Sequence, residues 1–233
     1  MSLLSLEHVE KSYGRGPCSL RVLRDISLEI EGGEMVAIWG LRRSGRSTLL
    51  RVAAGIEAPD AGEVRFRGRD LCDRRCEVLG SEIAYCRKTF RSSEGRVVLD
   101  QLTVGQLARG VAPSLAASRA RTALERTGSE ACATRRPGEL DCEECVRVAI
   151  ARALSLQPSV LMIDEPTIGV DLLVRDEVLA LLRSLADDGM AVVTTTGEAA
   201  GLSGTRALNL SEGELHGGPR RGLAPVVALR RSA

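Results

Sequence analysis

Two short stretches carry side chains suited to phosphate chemistry. In "GLRRSGRST", residues 40–48, two glycines are separated by four residues and followed by a basic residue and two hydroxyls. Such glycines let backbone N–H groups turn inward around an anion. A helix beginning there adds its positive end, a cation reaches the outer oxygens, and a hydroxyl can ligate Mg²⁺. Gly40, Arg43, Ser44, Gly45, Arg46, Ser47 and Thr48 are therefore candidate phosphate-binding residues, with Ser47 also a candidate metal ligand. The second stretch, "SVLMIDEP", is an apolar run ending in two carboxylates. Asp164 suits Mg²⁺, most simply through water, and Glu165 suits polarising an attacking water. Two acids at a strand end can also simply cap the next helix; the glycine loop upstream favours the chemical role.

The loop needs a strand before it and a helix after it. "MVAIW" reads as a buried strand running into Gly40, and "STLLRVAAG" has helical character and ends on Gly55. Upstream, "LLSLEHVE" through "RVLRDISLEI" shows short alternating runs broken by Gly and charge, as strands do. "GEVRFRG" and "EIAYC" read as further strands. Residues 88 to about 156 change character to Ala, Leu and Arg at helical spacing and read as a helical insertion. "DLLVRDEVLALLRSLADDG" places Val174, Val178, Leu181, Leu182 and Leu185 on one helical face and stops at Gly189, before another buried strand, "MAVVTTT". Strands alternating with helices imply a parallel sheet. One unit over residues 1–217 is expected, with residues 218–233 a loose basic tail.

A formal charge of +1 over 233 residues gives no case for a nucleic-acid partner. The basic residues are almost all Arg, with Lys only at Lys11 and Lys88. Seven cysteines in no paired framework fit a reducing cytosol. Of Cys72/Cys76 and Cys142/Cys145, one pair has a three-residue spacer and neither has a flanking His, which argues against a zinc site. No stretch approaches the ~20 apolar residues needed to cross a bilayer.

The chain resembles the ATP-binding subunits of ABC transporters from "LSLEHVEKSYG" to "LSEGEL", with the lipoprotein-exporter and macrolide-exporter type nearest. "RVAIARAL", Arg147 to Leu154, is the most specific match, and "IGVD" stands at the D-loop. The resemblance implies a P-loop NTPase α/β fold: a parallel β/α core, an N-terminal antiparallel β part and a helical insertion. It implies ATP and Mg²⁺ as ligands, and Tyr13 stacking on adenine. As partners it implies an integral-membrane permease and a second ATP-binding chain, so that the subunit would sit in the cytoplasm at the inner face of the membrane.

Four sites of the family pattern are altered: the glycine loop, the Q-loop, the signature segment and the switch position. Leu41, Arg42 and Arg43 replace the usual small turn residues and Arg46 replaces lysine, so phosphate binding is expected to outlast alignment for transfer. If Arg43 takes a positive φ, the strain is about 1–2 kcal/mol. Lys88 stands at the Q-loop glutamine, where an ammonium cannot ligate Mg²⁺; it either lies near the phosphates or faces solvent. The signature segment reads Leu140, Asp141, Cys142, Glu143 and Glu144 in place of small neutral residues. One carboxylate facing one phosphate charge at ~4 Å costs about 4 kcal/mol at an effective dielectric near 20, although acids here also favour a helix N-terminus. Thr196 stands at the switch histidine and cannot become a cation. The leading expectation is a degenerate subunit with weak or absent hydrolysis, paired with a second copy or with an intact chain; the rivals are a competent ATPase using Arg46, and a scaffold that binds no nucleotide.

Overall fold

The computed structural model describes residues 2–14, 19–72, 81–86, 95–198, 202 and 205–217. Lys88, Cys18, Cys76 and the tail at 218–233 lie outside the described residues.

The first strands are β1 (Leu4–Tyr13), β2 (Leu20–Ile30) and β3 (Met35–Trp39), followed by helix α1 (Arg46–Ala53). Next come β4 (Ala61–Phe66), β5 (Arg69–Asp70) and β6 (Ile83–Cys86). Three helices follow, α2 (Val98–Leu107), α3 (Pro113–Arg126) and α4 (Cys142–Leu154). The chain then runs through β7 (Val160–Ile163), α5 (Leu172–Asp187), β8 (Ala191–Thr196), β9 (Arg206–Ser211) and β10 (Glu214–Gly217).

Two sheets result. β2-β1-β4-β5 is antiparallel, with Leu4 opposite Ile30 and Leu6 opposite Val64. The second has the order β10-β9-β3-β8-β7-β6, and every pairing in it except β10 with β9 is parallel. The expected parallel β/α centre with an antiparallel N-terminal part is what forms. Parallel strands are buried on both faces, so their residues alternate between two cores. Val160 and Met162 of β7 pack on the side of the antiparallel sheet and α1, while Leu161 and Ile163 pack against the other helices. Val193 and Val192 of β8 divide in the same way.

The structure adds detail to the sequence reading in two places. "QLTVGQLARGVAPSLAASRARTALERTG" is two helices: α2 stops before Gly110, whose φ of 77° lets the Val111 N–H turn back to the Gln106 carbonyl, and Pro113 starts α3 at its first turn. In α5, Val178, Leu182 and Leu185 are buried as the spacing requires; Val174 and Leu181 sit at the core's edge, and Leu179 is also buried. Gly55 and Gly189 end α1 and α5 with positive φ of 72° and 99°.

Candidate functional site

β3 delivers the chain to Gly40 at the carboxyl edge of the parallel sheet, where open α/β sheets bind ligands. Gly40 has no room for a side chain: a Cβ would collide with the Leu210 carbonyl of β9 and lie 2.8 Å from Ser44 Oγ. Gly45, with φ 103°, is the N-cap of α1, and a Cβ there would meet both Val22 Cγ1 and the Val22 carbonyl at 2.9 Å. These contacts explain the two glycines. Arg43 does take a positive φ, 67°, in a position suited to glycine, so its strain of about 1–2 kcal/mol is present in the loop.

The N-terminus of α1 has no side-chain cap and no acid in its first turn. Two further donors there have no hydrogen-bond partner: Ser44 Oγ and Arg46 Nη1, both buried. Uncapped helix N–H groups beside orphaned donors fit an anion and nothing of opposite sign. Ser47 is half-buried on the same turn.

Arg46 is the side chain whose setting the sequence did not reveal. It is only 6% exposed and its Nη2 donates to Glu165 Oε1 at 2.7 Å, Glu165 being 17% exposed. The loop cation and the candidate base are thus bonded to each other. Glu165 itself has φ 47°, the left-handed region for a non-glycine residue. Its backbone N–H donates to Thr195 Oγ1 at 2.9 Å, and the same hydroxyl donates to Asp164 Oδ1 at 2.6 Å. Thr195 is fully buried and holds both acids by one atom. Sequence reasoning passed over it; the signal available was a run of three threonines ending an otherwise apolar strand.

Gly40, Arg46, Glu165 and Thr196 line one cavity of about 500 Å³, together with the D-loop stretch from Ile168 to Val170. Thr196, at the end of β8, accepts a hydrogen bond from the Glu198 N–H at 3.3 Å. Tyr13 is placed at the other side of α1. Its hydroxyl bonds Glu57 and lies 3.4 Å from Thr48 Oγ1, and Arg51 donates to it at 3.2 Å. Burial works against an ionised Glu57, yet hydrogen bonds from Tyr13 and Arg51 outweigh it and hold the carboxyl below its usual range.

The acidic segment lies apart from this cavity, at the start of α4. Asp141 is the N-cap: its Oδ1 accepts from the Glu144 N–H at 2.8 Å, and Glu144 Oε2 accepts from the Asp141 N–H at 3.0 Å, a capping box. Glu144 also pairs with Arg135 at 2.5 Å and Glu143 with Arg147 at 2.9 Å. Leu140 is partly buried against the helical core. Each acid in this segment is thus engaged by backbone or guanidinium, and their place at a helix N-terminus is the one the sequence suggested beside repulsion of phosphate.

Comparisons with known proteins agree with this geometry. The family pattern "ABC transporter" matches residues 23–168, from β2 through the two carboxylates. The lipoprotein-releasing system ATP-binding protein LolD of Chromohalobacter salexigens is 34% identical over 91% of this chain and 92% of its own, and that of Myxococcus xanthus 36% identical over 92% and 99%. Among solved structures, a dimeric post-hydrolysis state of the ATP-binding cassette MJ0796 bound to ADP and Pi superposes with a TM-score of 0.82 at 26% identity, over 91% of this chain and 96% of that one. With glycine loop, strand-end carboxylates and sheet order all in place, the chain belongs to the ABC transporter family, as an ATP-binding domain.

Proposed function

We propose that this chain is a nucleotide-binding subunit that holds ATP and hydrolyses it slowly or not at all, working with a membrane permease and a second ATP-binding chain. The observation that carries the reading is the Arg46–Glu165 pair. A carboxylate whose Oε1 already accepts a guanidinium proton is a poor acceptor for a water, and a guanidinium bonded to it is only half available to phosphate. Thr196 brings no cation to replace what is lost.

Phosphate affinity is supported by the uncapped α1 terminus and by the orphaned Ser44 Oγ and Arg46 Nη1. ATP would lie along Gly45 to Thr48, with its adenine toward Tyr13. Mg²⁺ would be met by Ser47 and, through water, by Asp164, whose orientation Thr195 fixes. The permease has a suitable contact in a groove of about 440 Å³ between β6, α2 and α4, lined by Ile56, Tyr85, Leu102, Val104 and Leu156. Among the described residues no helix is long and apolar enough to cross a membrane, so this reading assigns the membrane crossing to that partner. A permease of the kind served by LolD is the first to test, given the identities above.

The test is turnover of Mg·ATP by the purified chain, alone and with its permease. Rates well below the enzyme median of about 10 per second are expected; ordinary rates would overturn the reading in favour of a competent ATPase. Nucleotide at 100 times its Kd should stabilise the fold by about 2.7 kcal/mol, and no thermal shift with ATP or ADP, with or without Mg²⁺, would leave only a scaffold.

A further inference from the structure

The first turn of α4 carries a feature that nucleotide binding does not use. Cys142 is its first helical residue and is exposed; Cys145, one turn on, is half-buried, and both are free thiols. The arrangement is Cys-x-x-Cys at a helix N-terminus. From its geometry we infer that Cys142 and Cys145 form a dithiol/disulfide site, whose reaction partner is a low-molecular-weight disulfide such as glutathione disulfide.

Residues three apart on a helix face each other with Cβ atoms about 5–6 Å apart. A disulfide needs about 3.5–4.5 Å. The difference of roughly 1–2 Å has to come from the first turn, where the Cys145 N–H now bonds the Asp141 carbonyl at 3.0 Å and would move toward i→i+3 geometry as the turn tightens. The two sulfurs are near enough to sense each other: burial first, then Cys142 and the carboxylates of Asp141 and Glu144, push the Cys145 thiol above its ordinary range. Two of the other described thiols, Cys86 and Cys132, are worse placed. Cys86 is wholly buried, donates to the Ala149 carbonyl, and is pushed up to about 12 by burial. Cys132 is buried and likewise raised, first by burial and then by Glu144.

The surroundings set the direction of the chemistry. In Cys-x-x-Cys sites that oxidise other proteins, the helix end stabilises the thiolate and so the reduced form. Here burial foremost, and after it the carboxylates of Asp141 and Glu144, disfavour a thiolate at Cys145. The couple is consequently placed toward the reducing end of such sites: slow to form its disulfide, and slow to give it up. In the reaction, the exposed Cys142 sulfur, as thiolate, attacks glutathione disulfide and expels one glutathione thiolate. Cys145, deprotonated in turn, attacks Cys142 Sγ and expels the second. Two protein thiols and one small disulfide become one protein disulfide and two glutathione thiols, with two electrons passing to the glutathione sulfurs.

The full-length chain is incubated with glutathione disulfide, alkylated with N-ethylmaleimide and digested with trypsin. Residues 136–147 then contain Cys142 and Cys145 and no other cysteine. The expected product is this peptide two hydrogens lighter and unalkylated, gaining two alkyl groups only after reduction. Cys145→Ser should lose that product and leave glutathione on Cys142, in a protein whose melting temperature shows it folded. A stable glutathione adduct on Cys142 of the unaltered chain, a Cys132–Cys145 link, or two alkylated thiols after incubation would each overturn the inference.

Discussion

Glu165→Gln probes the centre of the proposed function. Gln keeps an oxygen to accept from Arg46 Nη2 and removes the charge. The buried guanidinium keeps one hydrogen bond but loses its counter-charge; breaking such a pair outright costs about 3–5 kcal/mol, so the nucleotide-free chain should lose a part of that, about 1–2 kcal/mol. At about 2–4 °C per kcal/mol for a domain of this size, its melting temperature falls by about 2–8 °C. Nucleotide should reverse the order. A carboxylate and a phosphate charge at ~4 Å repel by about 4 kcal/mol at an effective dielectric near 20, and a third to two-thirds of that, after screening, is a gain of about 10–100-fold in Kd once the charge is gone. Melting curves with and without ATP, and calorimetric titration, read both effects. An unchanged melting temperature together with an unchanged Kd would refute the competition between Glu165 and phosphate for Arg46. A wild-type rate near 10 per second that the substitution abolishes would show that Glu165 is a working base instead.

Four further outcomes follow from the same geometry. Arg43→Gly removes about 1–2 kcal/mol of backbone strain at the cost of about 0.5–1 in chain entropy, so urea denaturation should show a gain of up to about 1 kcal/mol. Gly45→Ala forces a Cβ against Val22 at φ 103° and should cost about 2–3 kcal/mol and abolish the ATP-induced thermal shift. Thr195→Val, equal in shape but without the hydroxyl, strips a charge-assisted bond from the buried Asp164 and should cost about 1.5–3 kcal/mol by the same denaturation assay. Asp60 is held below the ordinary carboxylate value of about 3.9 by the Lys11 ammonium foremost and then by the Ser12 N–H. A depressed carboxylate contributes stability that is complete above its unfolded value and lost as pH falls through the folded one, so Asp60→Asn should make the acid limb of a melting-temperature profile shallower.

The buried strands were readable because apolar runs bounded by Gly leave few alternatives, and the loop because only glycine fits against Leu210 and Val22. Arg46 was visible as an altered residue, yet its partner was not: Glu165 is 119 residues away, and whether a guanidinium turns toward phosphate or carboxylate depends on distances that spacing does not encode. Thr195 was missed because a buried threonine in a strand has the same pattern as a valine. In the acidic segment the sequence showed the charges, but not that Arg135 and Arg147 would reach them.

The parallel sheet also fixes when this site can come into being. β3, which leads into the glycine loop, lies between β8 and β9, and Asn209 of β9 reaches the Trp39 carbonyl across 170 residues of chain. At synthesis rates of about 5–20 residues per second, the loop leaves the ribosome roughly 10–30 s before the strand it leans on. During that interval β3 is an unpaired apolar strand, so a nascent chain halted before Arg206 cannot assemble the loop against Leu210. Nucleotide can therefore report on completion of the chain, but cannot help its first half to fold.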